Sequence, residues 1–437
     1  MANSKYEYVK CFEVEDEVMY PNIIVVQIDG RGFGSFSEKH GFEKPNDDKA
    51  LNLMNACAIK VLENFSDVIF AYGFTDEYSF VLKKETTFYQ RRASKILSII
   101  VSFFSSTYVT KWKEFFSQKE LSVPPSFHSR VISCASMEVL QAYLLWRQTE
   151  CHISNQYNTC LWKLVFSGKS EKEAKEILKQ GRQKQEQNEL LFQQFGINYK
   201  DLPQIFRQGS CAIKIKVDDI VKYREDGTPV KRPRKKAIIV HSENVATKRF
   251  WNNYTCLTEE LGSLAEGINK IKPEYLRSFQ FESRLMLSTW IVVRVDGCHF
   301  HRFCEDNGFQ KPNDEHALKL MNSCAVSLLK MFKDIIFAYG MSDEYSFVLK
   351  KDSVLYQRWS SEIVSAVVSL FSSMYVMKWK EFFPEKEFKE PPYFDGRSVC
   401  YPSSEILRDY LAWRQVDCEY SLSYLLYKNF KQINLVI

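Results

Sequence analysis

FAYGFTDEYSFVLKK, residues 70–84, returns as FAYGMSDEYSFVLKK at 337–351, changed only at Phe74/Met341 and Thr75/Ser342. Each copy sets an Asp-Glu pair, Asp76-Glu77 or Asp343-Glu344, between two short apolar runs. That pattern predicts a β-hairpin with acid at its tip. The spacing of 267 residues also brings Asp29 onto Asp296, Lys44 onto Lys311 and Trp146 onto Trp413. The chain therefore reads as a tandem duplication whose period is the size of a domain.

The 437 residues suffice for two ordinary domains, and 45% hydrophobic with 26% charged residues is a globular composition. The longest greasy stretches, such as Ile96 to Phe104, are broken by serines and read as too short to cross a bilayer. The N-terminus alternates acid and base without an apolar signal core, so secretion is not expected. Twelve cysteines without a CxxC pair read as buried reduced thiols and exclude a zinc-finger pattern. The net charge of +5 is concentrated in VKRPRKK, Val230 to Lys236, which reads as a nuclear address, a phosphate contact or a solvated loop.

In the first copy, NIIVVQI (Asn22 to Ile28) predicts a buried strand ending at the Asp29-Gly30 turn. A helix capped by Asn46 or Asp47 follows, then strands Val68 to Tyr72 and Tyr78 to Leu82, and a long helix from Tyr89 to Phe116. With a strand near Arg130 to Ser133 the order is β-α-β-β-α-β, an α+β, ferredoxin-like (split βαβ) plan. A helix over Met137 to Thr149 leads into HISNQYNT, Ser170 to Phe195 reads as a charged helix or helix pair, and Cys211 to His241 as a basic hairpin turning at Asp226-Gly227. The expected partition is a first unit over 1–245, a linker over 246–286 and a truncated second unit over 287–437, whose match to the first ends after Cys418.

In this plan the first strand and the hairpin are neighbours, so Asp29 and Asp76 can face one pocket. Two carboxylates there call for a hard cation, and Mg²⁺ takes carboxylate, phosphate and carbonyl oxygens such as that of Gly30. Two such ions suit a triphosphate reaction. Taken singly, the DG and TDEY motifs also read as plain surface turns. Lys44 and Lys311, in matching KPND segments, are candidate phosphate ligands or loop lysines. Arg91, Arg92 and Lys95 are candidates for a second triphosphate or an RNA backbone, or a wet helix face, and His152 for a functional or a structural histidine.

DGRGF at 29–33, KPND at 44–47, TDEYSF at 75–80, RRASK at 91–95, WRQTECHISNQYNT at 146–159 and NELLFQQFGINY at 188–199 together resemble the tRNA-histidine guanylyltransferase family, in its duplicated plant form. The resemblance implies polymerase/cyclase-like palms that add a nucleotide in the 3′ to 5′ direction. ATP would adenylylate the 5′-monophosphate of tRNA-His, and the 3′-hydroxyl of GTP would displace AMP to leave guanosine at position −1. It further implies that Asp29, Gly30 and Asp76 hold two Mg²⁺. Nucleotide contacts would come from Asp29, Gly30, Arg31, Gly32, Phe33, Gly34, Lys44, Thr75, Asp76, Arg92 and Lys95, and tRNA contacts from His152, Asn155 and Asn198. In the second copy the matching positions are Asp296, Gly297, Cys298, His299, Phe300, His301, Lys311, Ser342 and Asp343, with Asp296, Gly297 and Asp343 toward metal.

The copies depart from the family pattern in different places. The first has Gln27, Gly34-Ser35 and Gln187 where the family has Arg, His-Arg and Lys; the second has Cys298 for Arg31, Trp359 for Arg92 and Glu362 for Lys95, and lacks the His152 motif. An RNA-binding or regulatory scaffold of the same fold is thus a second reading, and a nucleotide cyclase or dinucleotide synthase a third. Palm units are expected to associate within or between chains, with no membrane partner.

Overall fold

The computed structural model describes residues 4–179, 184–223, 228–241, 244–245, 247–263, 273–311 and 313–433. The first unit starts with β1 (Ile23–Gly30), whose β-branched run is buried, followed by α1 (Phe33–Lys39) and α2 (Asp48–Asn64). The Asp47 carboxylate caps α2 by accepting from the Ala50 N–H at 3.0 Å. The hairpin is β2 (Val68–Phe74) and β3 (Glu77–Leu82), and α3 (Ala93–Phe115) and β4 (Phe127–Cys134) complete the palm. Spatial order β2-β3-β1-β4, antiparallel throughout, is the split βαβ arrangement expected from the sequence.

Beyond the palm run α4 (Met137–Phe166), α5 (Glu171–Lys179), α6 (Lys184–Phe195) and α7 (Gln204–Gln208). The long hairpin β5 (Ser210–Tyr223) and β6 (Pro229–Val240) then adds to the β2 edge. Its expected turn, Asp226-Gly227, lies outside the described residues. The helix expected over Met137 to Thr149 does not stop there: α4 continues through HISNQYNT, because Cys151, Asn155, Thr159 and Cys160 recur on one buried face.

The segment read as a linker also has structure. It contains α8 (Lys248–Asn253), α9 (Thr255–Leu261), α10 (Pro273–Leu276) and the two-residue strand β7 (Gln280–Phe281) paired to β4. Phe250, Trp251, Leu257, Leu261 and Leu276 are buried in the first unit's outer core, against Phe70 and Ile213. Single aromatic and leucine residues, too few for a periodic pattern, anchor it.

The second palm repeats the plan with β8 (Trp290–Gly297), α11 (Phe300–Asp306), α12 (Glu315–Met331), β9 (Ile335–Met341), β10 (Glu344–Leu349), α13 (Ser360–Phe382) and β11 (Phe394–Tyr401), and ends in α14 (Ser404–Ile433). Its sheet has four strands, β11-β8-β10-β9. With no hairpin on the β9 edge among the described residues, Ile336 and Phe337 are 49% and 46% exposed, whereas their counterparts Ile69 and Phe70 are 3% and 0% exposed.

The palms pack on each other through α3 and α13, whose serines interlock: Ser102 Oγ to Ser372 Oγ at 2.6 Å and Ser105 Oγ to Ser369 Oγ at 2.7 Å. One apolar cluster runs through both units. Against the sequence reading, both helices are long and apolar enough to span a bilayer; each is mostly buried by protein instead, which is why it is apolar all round. The arms preceding the two palms are exchanged. Val9 is buried against Val292, Val348 and Trp413 of the second unit, while Leu276 is buried in the first.

α3 starts at Ala93 rather than Tyr89, because Tyr89 and Gln90 adopt positive φ ahead of it. That kink turns Arg91 inward, where its guanidinium donates to the carbonyls of Val18, Thr86, Met19 and Asn22. Arg91 is a structural pin for the arm, not a phosphate ligand.

Candidate active site

β1 ends with Asp29 between Glu77 on β3 and His128 on β4, and the hairpin tip folds over it. The Gly30 N–H donates to the Asp76 carbonyl at 3.0 Å, and Thr75 turns the tip with φ of +50°. A Cβ on Gly30 would lie 2.7 Å from Asp76 Oδ2 and 2.5 Å from the Phe33 ring, so only glycine lets this carboxylate sit over the strand end. Gly32, at φ +66°, turns the chain into α1. Phe33 points into the core against Phe36 and Phe127, so its side chain packs rather than binds; Gly34 is exposed.

Burial pushes the Asp76 carboxyl up to about 6, and the neighbouring Asp29 charge adds to the shift. Burial also raises Asp29, against the pull of Arg130 and Arg147. Glu77 is pushed to about 7 by burial while Arg147, bonded to both its oxygens, pulls it back. Among the described residues no three His, Cys, Asp or Glu side chains gather as a metal cage. Two crowded acids beside backbone oxygens fit Mg²⁺, which keeps water and phosphate as its other ligands.

The second site has the same frame with more acid. Asp296 lies between Glu344 and Asp395 on adjacent strands, and the Gly297 N–H donates to the Asp343 carbonyl at 3.1 Å. Burial and then Asp395, Glu344 and Asp343 raise Asp296 to about 7. Burial also raises Asp343. Ser342 and His299 take the positive φ of Thr75 and Gly32. Phe300 is buried in the core, and His301 is exposed. Burial raises the Cys298 thiol, which stands where the first site has Arg31.

The basic candidates separate. Lys44 Nζ donates to Ser37 Oγ at 2.9 Å and lies over the Trp162 ring, whereas Lys311 is drawn to Glu305 at 3.0 Å on the open surface. Arg92 pairs with Asp16 of the arm at 3.3 Å. Lys95 reaches out of its own unit, to Asp395 beside the second site. Glu13 of the arm likewise bonds Arg397 at 2.6 Å and lies 3.9 Å from Arg294. These cross-unit partners lie hundreds of residues apart, and no spacing rule links them.

A cleft of about 660 Å³ is lined by His152, Asn188, Phe192, Asn198, Tyr199 and Arg207, among others. Asn155, expected to face RNA, is instead buried, accepting from Asn46 Nδ2 at 2.9 Å and donating to the Tyr199 hydroxyl at 3.0 Å. It braces the cleft wall because its α4 position faces inward.

The profile of the tRNAHis guanylyltransferase family matches twice, over residues 6–135 and 273–402, and that of the Thg1 C terminal domain over 138–251. The chain belongs to the tRNA(His) guanylyltransferase family. It is 65% identical to tRNA(His) guanylyltransferase 1 of Arabidopsis thaliana over 97% of this chain and 75% of that protein, and 63% identical to tRNA(His) guanylyltransferase 2 over 97% and 81%. The crystal structure of the Saccharomyces cerevisiae tRNA(His) guanylyltransferase covers 47% of this chain and 92% of its own at 41% identity, with a TM-score of 0.46. As a guanylyltransferase family member the chain is a nucleotidyltransferase, and the doubled palm match coincides with the two acidic sites.

Proposed function

We propose that the chain adds one guanosine at position −1 of tRNA-His in two displacements. A 5′-phosphate oxygen attacks the α-phosphorus of ATP and pyrophosphate leaves; the 3′-hydroxyl oxygen of GTP then attacks the activated 5′-phosphorus, AMP leaves, and the hydroxyl proton passes to solvent. The seating of the buried Asp76 carboxylate over Gly30, beside Asp29, where burial and the neighbouring charge weaken it as an acid, is the observation that supports this reading. Asp29, the Gly30 carbonyl and Asp76 would hold two Mg²⁺, which when bound supply neutralisation of the triphosphate and a more acidic attacking hydroxyl. Glu77, locked by Arg147, keeps the strand ends in register and stays out of the proton transfers.

For tRNA, the reading uses the cleft of His152 and Asn198 and the exposed stretch of β6 that carries Arg232, Arg234 and Lys236. The same basic run would serve as a nuclear address. In this proposal 1–245 forms the working unit, 246–286 joins the units and 287–437 contributes assembly and nucleotide binding. The scaffold reading applies best to the second palm, where Lys311 is held by Glu305 and β9 is an edge strand among the described residues.

The test is addition of labelled GTP to 5′-phosphorylated tRNA-His in Mg²⁺ and ATP. Asp29→Ala with Asp76→Ala should abolish it, and Asp296→Ala with Asp343→Ala should reduce it. Full activity with all four replaced would refute the catalytic assignment.

A further inference from the structure

The Arg31 guanidinium, two residues beyond Asp29, lies over two rings of the other unit, 5.2 Å from the Phe332 centroid and 5.6 Å from that of Tyr356. Tyr356 meets His128 edge-on at 4.8 Å, and His128 stands opposite Asp29 in the sheet. Phe332 is buried at the end of α12, and Tyr356 is fixed by the positive-φ turn ahead of α13. The reciprocal contact has the same aromatic residues, Phe65 and Tyr89, but the residue facing them is Cys298. There Phe65 packs on Tyr393, and Tyr89 lies under Lys95 and 3.5 Å from His299. The duplicated seat thus holds a site arginine in one direction only.

We propose that Phe332 and Tyr356 of the second unit are positioning residues that hold Arg31 for the triphosphate bound at Asp29 and Asp76. An arginine left free in solvent samples many rotamers, and two aromatic faces confine it through cation–π attraction. Planar donors not turned toward the Tyr356 hydroxyl face phosphate oxygens. The second palm then completes the first site and is more than a spare copy.

The inference rests on the reading of Asp29 and Asp76 as a nucleotide site. It is tested by calorimetric titration of GTP, with Mg²⁺, into the full chain carrying Asp343→Ala to silence the second palm. Tyr356→Leu should weaken GTP by about tenfold, the scale of a desolvated cation–π contact, and Tyr356→Phe should restore the parent affinity. With Arg31→Ala in place, Tyr356→Leu should cause no further loss. A loss of the same size without Arg31 would show that the ring acts through general packing and would overturn the proposal. If the parent chain binds no GTP, the nucleotide-site reading falls with it; if it binds and the coupling is absent, only the positioning role falls.

Discussion

Lys95 of the first palm holds Asp395 of the second, Nζ to Oδ2 at 2.9 Å, next to the strand that carries Asp296. Asp395 is nearly inaccessible while Lys95 is about one-third exposed, so losing the lysine strands a carboxylate more than it frees a cation. A Lys95→Met/Asp395→Asn double-mutant cycle, followed by urea unfolding, should give a coupling of about 1 kcal/mol, discounted for the exposure of Lys95. Zero coupling would mean that the palms do not meet there in solution.

Arg147 and Glu77 form a two-pronged pair with each side chain about 10% exposed. Arg147→Met leaves the acid buried and alone and should cost about 3 kcal/mol, seen as a lower Tm. Arg147→Lys should recover only part, since an ammonium cannot match both oxygens. The second palm repeats the pair as Arg414 and Glu344, but Arg294 also lies 3.7 Å from Glu344, so Arg414→Met should destabilise by less.

Gly30 carries a steric demand rather than a conformational one, because alanine there would collide with Asp76 and Phe33. Gly30→Ala should reduce guanosine addition by about a hundredfold through displacement of the carboxylate, at a stability cost of about 1–3 kcal/mol. A variant that folds and turns over like the parent would break the link between the Gly30 turn and Asp76.

The pH response of Asp76 has a definite sign. Its folded pKa of about 6 lies above the ordinary 3.8, so folding favours the protonated acid. That contribution is complete below pH 3.8 and is lost as pH rises to about 6. In Mg²⁺-free buffer, parent stability should therefore fall relative to Asp76→Asn across this window and then level off. MgCl₂ at pH 7 should close the gap. A constant difference between the two proteins from pH 4 to 7 would contradict the burial of this carboxyl.

The repeated hairpin, the buried strand before Asp29 and the capped α2 were legible because each rests on local alternation, helical spacing or a cap within a few residues. The nearness of Asp29 and Asp76 followed from that order of elements, since a split βαβ sheet makes the first strand and the hairpin neighbours. Asn155 and Arg91 misled for the opposite reason: a polar side chain in a familiar motif reads the same whether it faces solvent or satisfies buried carbonyls. Phe250 and Trp251 were missed because two aromatic residues anchor a segment without giving it a period.

The amino-acid order alone thus determined two α+β palms, each with a carboxylate pair, since these depend on contacts within one small sheet. Tertiary structure decided that the arms are exchanged, that α3 and α13 join the palms through interlocked serines, and that Lys95 and Arg31 each face the other unit. Most of these contacts join residues more than two hundred positions apart, and they are selected by packing of whole surfaces, which no local pattern encodes.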